Sequence, residues 1–456
     1  MAITVDSPAV QNEVPLTLDQ PAPKVLGWLD QIGLWGNLGV TILAPVGAVS
    51  VLAPAGSPRL SFLAAGLAVI VGTGFGALLI AAAAVPGAQT GAPSMVLMRG
   101  LFGRRLSYLP TAVNVLQLLG WTVFEIVVIA SAAQQLFPWH AHRWPYVVIA
   151  GGLTVAMTIR PLGVVRILRR YAIVAVTVVT TYLFVQLLRH PLPSLTHGSW
   201  HGFWAGADVA IAVAVSWAPL ASDYTRHSRS AKSAFGGAIV GYTITQVAGY
   251  LLGLVALATV VTASDANLQH DMFGAFIAVP AGWLAFGVLV LRELDESFAD
   301  GYSAVVSMQN VWPRFDRRWF AVAVGAIATV GALALNINNY INFLLLLASV
   351  LVPLTAVFLV DYYATHRLRA WDVSAVAPAR PAMVVPWLLG FVVYQLIEPS
   401  AGGWWARLWV HADHGLHLSV RSWMSASILS FAVAALATAP GVLARRRRLR
   451  AAMMEP

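Results

Sequence analysis

Five ionisable residues lie close together in a segment that is otherwise apolar: Arg292, Glu293, Asp295, Glu296 and Asp300. Each would cost roughly 2.5–3.5 kcal/mol if it faced lipid at the centre of a membrane helix. At about 100° per residue, Asp295 points away from the other four, which share one face of the predicted helix. This face predicts a polar interior where a ligand or a coupling cation binds. The alternative is a solvated helix end with a structural role.

A second candidate site combines an aromatic ring with an acid. Trp121 and Glu125 are four residues apart, so they share a face of a predicted helix. Together they offer a flat surface for stacking and a hydrogen-bond acceptor, which suits a planar, nitrogen-bearing heterocycle. The alternative is a tryptophan that packs in the interior and a carboxylate that pairs with another helix.

One predicted helix contains glycines at a regular interval. Gly33, Gly36 and Gly39 recur every three residues, in a run that also contains Trp35 and Asn37. This spacing is typical of closely packed helices. It also permits local unwinding, which would free backbone carbonyls to bind a cation.

Another predicted helix begins near Asp208 and reaches a Ser-Trp-Ala-Pro sequence that ends at Pro219. Proline has no backbone N–H and marks a break in a helix. Interrupted helices at corresponding places in the two halves of a membrane protein indicate the site of an inverted-repeat transporter.

The composition requires that these residues be positioned by membrane helices. Hydrophobic residues make up 59% of the 456-residue chain and charged residues only 10%, with a mean hydropathy of +0.74. Soluble domains carry about 25% charged residues. The apolar runs are continuous rather than alternating, which favours helices over a barrel. We predict an all-α integral membrane protein whose twelve transmembrane helices span residues 29–53, 60–84, 108–136, 144–160, 168–189, 204–225, 235–262, 274–304, 319–337, 341–364, 384–399 and 423–443.

The distribution of basic residues predicts the orientation. If the N-terminus is cytosolic, most Lys and Arg residues fall in the inner segments, as the positive-inside rule requires. We therefore expect a multi-pass protein of the cell membrane with both termini in the cytosol. Residues 1–28 form a polar tail that we expect to be disordered, and the basic residues 444–456 anchor to the lipid surface. The +9 charge follows topology and does not indicate nucleic acid.

Metal and cofactor sites are not predicted. The chain has no cysteine, which excludes disulfides and thiolate metal sites. His411, His414 and His417 have a metal-like spacing beside Asp413, but they lie in a predicted outer loop and we expect no metal site there.

Several segments, taken in chain order, resemble those of one transporter family. They are LDQIGLWGNLG at 29–39, TGAPS at 90–94, LGWTVFE at 119–125, SWAPLASDYTR at 216–226, NFLLLLASVLVP at 342–353 and VDYY at 360–363. Their ordered occurrence resembles the nucleobase–cation symporter-1 family, which includes the cytosine permeases and the hydantoin transporter. The resemblance implies a LeuT-type fold, with inverted repeats at residues 29–190 and 204–364 and two further helices at 384–443.

The resemblance also implies roles for individual residues. Substrate is expected among helices 1, 3, 6 and 8, with Trp121 stacking on its ring. Glu125 and Asp300 fall where relatives often have Gln and Asn, and Ala214 falls where the family has an aromatic residue. In the sodium-coupled hydantoin transporter helix 8 offers hydroxyl groups to sodium, whereas this chain has acids there. Taken together with the residues singled out above, the predicted substrate residues are Trp35, Asn37, Trp121, Glu125, Asp208, Ala214 and Asp300, and the predicted cation-coupling residues are Gly33, Gly36, Asp295 and Glu296.

The predicted function is secondary active import of a nucleobase-like heterocycle by alternating access, with an aminopyrimidine such as cytosine or hydroxymethylpyrimidine as the predicted substrate. The coupling ion is H⁺ or Na⁺, and no other cofactor is expected. A purine, allantoin or hydantoin carrier of the same family is the alternative. A channel is the alternative from another class, but polarity here collects at one depth rather than along a pore. No constellation for covalent catalysis is present, and the oligomeric state is not predicted.

Overall fold

The structure is a computed structural model that describes residues 22–159, 163–260, 268–312, 317–365, 371–400, 402–417 and 419–452. Within these ranges the chain forms seventeen α-helices and no extended sheet. Their bounds are α1 Trp28–Leu38, α2 Leu43–Leu52, α3 Phe62–Thr90, α4 Ser94–Phe102, α5 Tyr108–Leu136, α6 Trp144–Ile159, α7 Gly163–Leu187, α8 Phe203–Val215, α9 Ala221–Thr225, α10 Ala231–Val260, α11 Leu268–Ala278, α12 Gly282–Met308, α13 Arg317–Ala334, α14 Tyr340–Thr365, α15 Val384–Ile397, α16 Gly403–Gly415 and α17 Ala426–Ala452.

Each predicted span coincides with a helix or with two consecutive helices. The first span is divided into α1 and α2, which meet at 64°. The eighth span was predicted to begin at residue 274, but α11 is a separate helix and α12 begins only at Gly282. Pro280, which lacks a backbone N–H, and Ala281, at a φ of 52°, make the turn between them. The short helices α4 and α16 were not predicted as helices.

Judged by length and hydropathy, fewer helices of the structure can span a membrane than the twelve predicted from the sequence. In the described part of the chain, six helical stretches can cross a membrane by themselves, and the bent pair α1 and α2 makes a seventh. Parts of α6, α7, α13 and α15 are apolar but shorter. The protein is therefore a multi-pass membrane protein, whereas the count of twelve spans stays a prediction.

The helix contacts are reciprocal between the two halves of the chain. Helix α1 packs on α10 while α3 packs on α8, and α5 packs on α13 while α6 packs on α12. Exchanging α1 with α8, α3 with α10, α5 with α12 and α6 with α13 converts each of these contacts into its counterpart. Two structural repeats related by a pseudo-two-fold axis would produce this pattern. The division of the chain into residues 29–190 and 204–364 stays a prediction.

Glycines allow α3 to approach α8 closely. A Cβ atom on Gly72 would lie 2.3 Å from the Ala207 carbonyl oxygen, and one on Gly76 would lie 2.4 Å from the Ala214 Cβ. Only glycine fits at these distances, as is usual where membrane helices touch through small residues. The interrupted helix α8 is thus in close contact with α3.

Part of the predicted N-terminal tail is ordered. Residues 22–27 lie against the turn that follows α9, where the Leu26 N–H donates to the His227 carbonyl at 2.9 Å and the Arg229 N–H donates to the Leu26 carbonyl at 2.8 Å. The Lys24 ammonium donates to a carbonyl near the end of α3. The segment before α1 is therefore tied to both halves of the chain.

We expect acid to release this N-terminal segment. Burial, together with the nearby cations Arg226 and Lys24, lowers the pKa of His227 from 6.5 to about 4. A released His227 regains its ordinary pKa and binds a proton more readily, so docking is fully stable above about pH 6.5 and weakens as the pH falls toward 4. Hydrogen exchange at the Leu26 amide, corrected for the intrinsic effect of pH, should be faster at about pH 5 than at about pH 7.5. His227→Gln should remove most of this difference, and equal protection of the wild type at both pH values would contradict the prediction.

Candidate functional site

Both predicted helix interruptions are present. Residues 39–42 separate α1 from α2. After α8 the chain makes a turn at Ser216 and Trp217 and one 3₁₀ turn, Ala218–Leu220, before α9. Helices α5 and α12 pack on each other and bring their polar residues to these two breaks.

The first interruption begins later than the glycine spacing suggested. Gly33 and Gly36 lie inside α1, which continues to Leu38. A Cβ on Gly36 would lie 3.7 Å from the Gly241 carbonyl oxygen of α10, so this glycine faces a neighbouring helix. The break therefore starts at Gly39, and the predicted role of Gly33 and Gly36 in cation coupling stays a prediction.

A small cavity lies between the two breaks and the helices α5 and α12. Its volume is ≈ 20 Å³, which is room for one or two water molecules. Acidic and aromatic side chains from three different parts of the chain meet here. It is lined by Thr41, Leu43, Trp121, Glu125, Val213, Ser216, Trp217, Leu220, Glu296 and Asp300.

Trp121 forms an aromatic wall of this cavity and is 8% exposed. Its ring meets Tyr340 and Phe343 of α14 edge-on, with centroids 6.0 Å and 5.6 Å away. Gly120 allows this arrangement, because a Cβ there would lie 2.3 Å from the Phe343 ring. The indole N–H of Trp121 has no hydrogen-bond partner within the described residues. It is therefore a donor still available to a ligand.

Three carboxyl groups face the same cavity. Glu125 from α5 and Glu296 and Asp300 from α12 are each at most 3% exposed. The Glu125 carboxyl group lies close enough to the Asp300 carboxyl group for a hydrogen bond. Two carboxyl groups can hydrogen-bond to each other only if one of them holds a proton, because an ionised carboxylate is only an acceptor. The pair is therefore a place where a proton can be bound and released.

An ionic network lies beside the cavity, between α12 and the end of α1. The Arg292 guanidinium donates to Glu296 at 2.7 Å and to the side-chain oxygen of Asn37 at 3.0 Å. The Asn37 amide donates to Asp295 at 2.9 Å, and Asp295 is 3.9 Å from Arg292. The prediction that Asp295 points away from the other charges is therefore wrong, because its carboxylate turns toward α1. The side chain of Asn37 is bonded on both sides within this network.

Glu293 uses both carboxylate oxygens at the helix break. One accepts the Thr41 hydroxyl at 2.6 Å and the other accepts the Ile42 backbone N–H at 2.9 Å. Glu293 and Arg292 also line a second cavity, of ≈ 210 Å³, between the break and the helices α7, α10 and α12. The alternative that the charged segment of α12 is a solvated helix end is excluded for these side chains, which are buried.

Three predicted substrate residues lie elsewhere. The Asp208 carboxylate accepts from the Ser425 hydroxyl and from the backbone N–H groups of Ala426 and Ser427, so it caps the start of α17. Ala214 is directed at Gly76 of α3. Trp35 is fully buried, and its indole N–H donates to Gln31 at 3.2 Å. We leave these three residues out of the candidate site.

Three residues line the cavity that were not predicted as site residues: Trp217, Thr41 and Ser216. Trp217 is the aromatic residue at the second helix break, three positions after Ala214. Trp217 could have been found from the sequence, because it directly precedes the Ala-Pro step that marks the break. Where a helix unwinds, side chains no longer follow the helical period, so a residue at the break can face the site even when the period assigns that direction to another position.

The outer histidines do not form a cluster. His411, His414 and His417 are exposed on α16 and in the turn after it. Across the described ranges, no three His, Cys, Asp or Glu side chains come together as a metal site would require.

Comparisons with known proteins agree on one family. The sequence profile described as "Permease for cytosine/purines, uracil, thiamine, allantoin" matches residues 33–377. The putative purine-cytosine permease YxlA of Bacillus subtilis (strain 168) is 26% identical over 356 residues, which cover 73% of this chain and 76% of that protein. The vitamin B6 transporter TPN1 of Saccharomyces cerevisiae is 22% identical over 313 residues, 62% of this chain but only 53% of the yeast protein.

Solved structures show the same fold. The inward-facing conformation of Mhp1 superposes with a TM-score of 0.72 at 14% identity and covers 96% of both chains. The closed conformation of Mhp1, a nucleobase-cation-symport-1 family transporter with bromovinylhydantoin bound, gives a TM-score of 0.69 at 16% identity and covers 94% of this chain and 96% of that one. At these identities the likeness shows the fold alone, which is of the LeuT type predicted from the sequence.

Proposed function

Because the chain belongs to the nucleobase–cation symporter-1 family, the permeases for cytosine/purines, uracil, thiamine and allantoin, it is a transporter rather than an enzyme, and we propose that its cargo is an aminopyrimidine carried together with a proton. Cytosine and hydroxymethylpyrimidine are the reference substrates. The observation that carries this proposal is the set of side chains around the cavity, which holds three carboxyl groups and no side-chain amide.

The hydrogen-bonding character of the cavity favours a ligand with donors. Glu125, Glu296 and Asp300 are acceptors when ionised. An aminopyrimidine has an exocyclic NH₂ beside a ring nitrogen, and a proton on that nitrogen gives two adjacent donors. Such an edge forms a bidentate, charge-assisted pair with one carboxylate, which is the stronger kind of hydrogen bond.

The charges around the cavity also favour a substrate that carries a proton. Arg292 is the cation in direct contact with the acidic side chains Asp295 and Glu296 of α12. Glu125, Glu293, Glu296 and Asp300 lie nearby and are buried. Buried carboxylates need protons or cations as partners. A substrate that arrives with a proton supplies one.

Uracil and hydantoin fit this cavity less well. Their edges alternate carbonyl and N–H groups, so a carboxylate would meet a carbonyl oxygen. A buried acceptor without a donor costs about 1–3 kcal/mol. A side-chain amide at the same position would satisfy both kinds of edge, because it carries a donor and an acceptor. Glu125 is therefore the proposed determinant of selectivity.

Two tryptophans support binding of a flat ring. Trp121 and Trp217 line the cavity from α5 and from the break after α8. Trp217 takes the role that the resemblance assigned to the position of Ala214, whose side chain faces α3. A cavity of ≈ 20 Å³ must open to admit any ring.

Competition for one labelled ligand tests this function. Cytosine, hydroxymethylpyrimidine, adenine, uracil, hydantoin and vitamin B6 are compared against labelled cytosine in purified wild type and in Glu125→Gln. We expect the single-ring amino compounds to compete best in the wild type. Loss of one charge-assisted pair should reduce their advantage over uracil by about tenfold in Glu125→Gln.

The matched control is Glu398→Gln, because Glu398 follows α15 and does not line the cavity. It should keep the wild-type order of competition. A wild type that prefers uracil or hydantoin would end the aminopyrimidine proposal and leave the family membership unchanged.

The topology proposed from the sequence accompanies this function. Both termini lie in the cytosol of a cell whose plasma membrane holds the protein, and residues 384–443 add two helices to the repeats. Reciprocal helix contacts support the repeats, and the positive-inside pattern supports the orientation. Accessibility of a single cysteine introduced near residue 22 to a membrane-impermeant reagent tests the orientation, since the chain has no other cysteine.

A further inference from the structure

Two consecutive side chains of α12 meet the two helix ends at the first interruption. Helix α1 ends at Leu38 and α2 begins at Leu43. The C-terminal end of a helix carries unpaired carbonyls and a partial negative charge, and the N-terminal end carries unpaired N–H groups and a partial positive charge. The C-terminal end of α1 and the N-terminal end of α2 both lie at this break.

Arg292 covers the negative end. Its Nη2 donates to the Asn37 backbone carbonyl in the last turn of α1, and its Nε donates to the Asn37 side-chain oxygen at 3.0 Å. Glu293, the next residue, accepts the N–H of Ile42 at the start of α2 at 2.9 Å. Each charge therefore lies at the helix end of opposite sign.

The guanidinium of Arg292 is surrounded by oxygen atoms. Besides the two oxygens of Asn37, it pairs with Glu296 at 2.7 Å and lies 3.9 Å from a carboxylate oxygen of Asp295. Backbone carbonyl, amide and carboxylate oxygens are the ligands that hard metal cations prefer. Here the side chain of arginine occupies the middle of such a set, and only 2% of it is exposed.

We propose that Arg292 is a fixed cation that replaces a free metal cation at the break between α1 and α2, so that transport, which rests on the function proposed above, requires no sodium. Arginine stays protonated at every pH a cell reaches. The fixed charge holds α1 against α12 and neutralises Glu296 and Asp295. A second cation at this place would meet a like charge and find its oxygen ligands already used.

According to this proposal, the Arg292 side chain alone decides whether transport requires a free cation. Wild-type uptake should be the same in sodium, potassium and choline media. Arg292→Ala leaves a charged, oxygen-lined space, so its uptake should fall by about tenfold or more. Millimolar guanidinium, or sodium, should then restore much of the lost uptake. The cavity of ≈ 210 Å³ that Arg292 lines gives these small cations a route to the site.

Thermal unfolding of purified protein provides a readout that needs no substrate. A cation that binds the folded state raises Tm. Guanidinium and sodium at millimolar concentrations should raise the Tm of Arg292→Ala and leave the wild type unchanged. Arg407→Ala, which removes an exposed arginine of α16, should behave like the wild type. If Arg292→Ala does not fold, the double variant Arg292→Ala/Glu296→Gln, which also removes the partner charge, is used in both assays.

Several results would overturn the proposal. They are a wild type whose uptake or Tm depends on sodium, an Arg292→Ala variant that transports equally well without an added cation, and a loss that no cation restores in either uptake or Tm. Failure of the proposed function looks different: none of the heterocycles binds, while the Tm of Arg292→Ala still responds to guanidinium.

Discussion

Trp121→Ala is expected to weaken substrate binding by about 5- to 100-fold. Stacking of a base on an aromatic side chain contributes about 1–3 kcal/mol by alanine substitution, and each 1.4 kcal/mol is about tenfold in Kd. Trp121 lines the cavity and is held edge-on by Tyr340 and Phe343. A ring held in this way loses little freedom when a ligand stacks on it. Direct binding of labelled cytosine to purified protein measures the effect.

Two variants separate stacking from a general loss of structure. Trp121→Phe keeps a smaller aromatic surface and should retain part of the affinity. Trp404→Ala removes a tryptophan that is 69% exposed on α16 and should bind as the wild type does. All three variants are first compared by thermal unfolding. Unchanged affinity in a folded Trp121→Ala protein would show that the ring does not stack on the substrate.

Collapse of the proton gradient is expected to abolish concentrative uptake. Glu125 and Asp300 lie within hydrogen-bonding reach of each other, and such a bond requires a proton on one of them. When an aminopyrimidine binds with a proton on its ring nitrogen, the substrate and this carboxyl pair share that proton, so the two are carried together. One pH unit corresponds to about 1.4 kcal/mol. If one proton accompanies each substrate, it drives at most about tenfold accumulation.

Proteoliposomes measure this directly, with the membrane potential clamped at zero by potassium and valinomycin. An inward proton gradient should drive accumulation, a protonophore should remove it, and a sodium gradient alone should produce none. Asp300→Asn keeps a group that can bond to Glu125 but cannot carry the proton, so it should exchange substrate without accumulating it. Glu398→Gln serves as the control acid outside the cavity. Accumulation that follows sodium and ignores the protonophore would exclude proton coupling.

The fold was predictable because lipid imposes a simple rule. Every backbone group in the bilayer must bond within its own segment, so continuous apolar runs become helices. All twelve predicted spans coincide with helices for this reason. The turn at Pro280 and Ala281 escaped the prediction, because the uncharged residues on both sides of it were taken as one continuous helix. The exact ends of α3 and the existence of α4 also depend on neighbours that hydropathy does not reveal.

The site was predictable only in part. Trp121, Glu125 and Asp300 could be found because their types are out of place in apolar helices, and helix period put Trp121 and Glu125 on one face. Asp208 is equally out of place, but its partners come from α17, far away in the sequence. A buried acidic residue in the sequence indicates that its carboxylate has a partner, but it does not indicate whether that partner is a ligand or another helix.

The sequence by itself determined the class of the protein, the two helix interruptions and the acids that lipid cannot accept. Tertiary structure alone decided how those acids are used. It turned Asp295 toward Asn37 and placed Trp217 rather than Ala214 at the cavity. Helix period fixes the direction in which a side chain such as Asp295 leaves α12, but the partner that its carboxylate meets depends on the helix packed there. At a break, as at Trp217, the direction itself depends on the helices that pack around the unwound backbone. Arg292 contacts the end of α1 and Glu293 contacts the start of α2, and no sequence pattern predicts these two contacts.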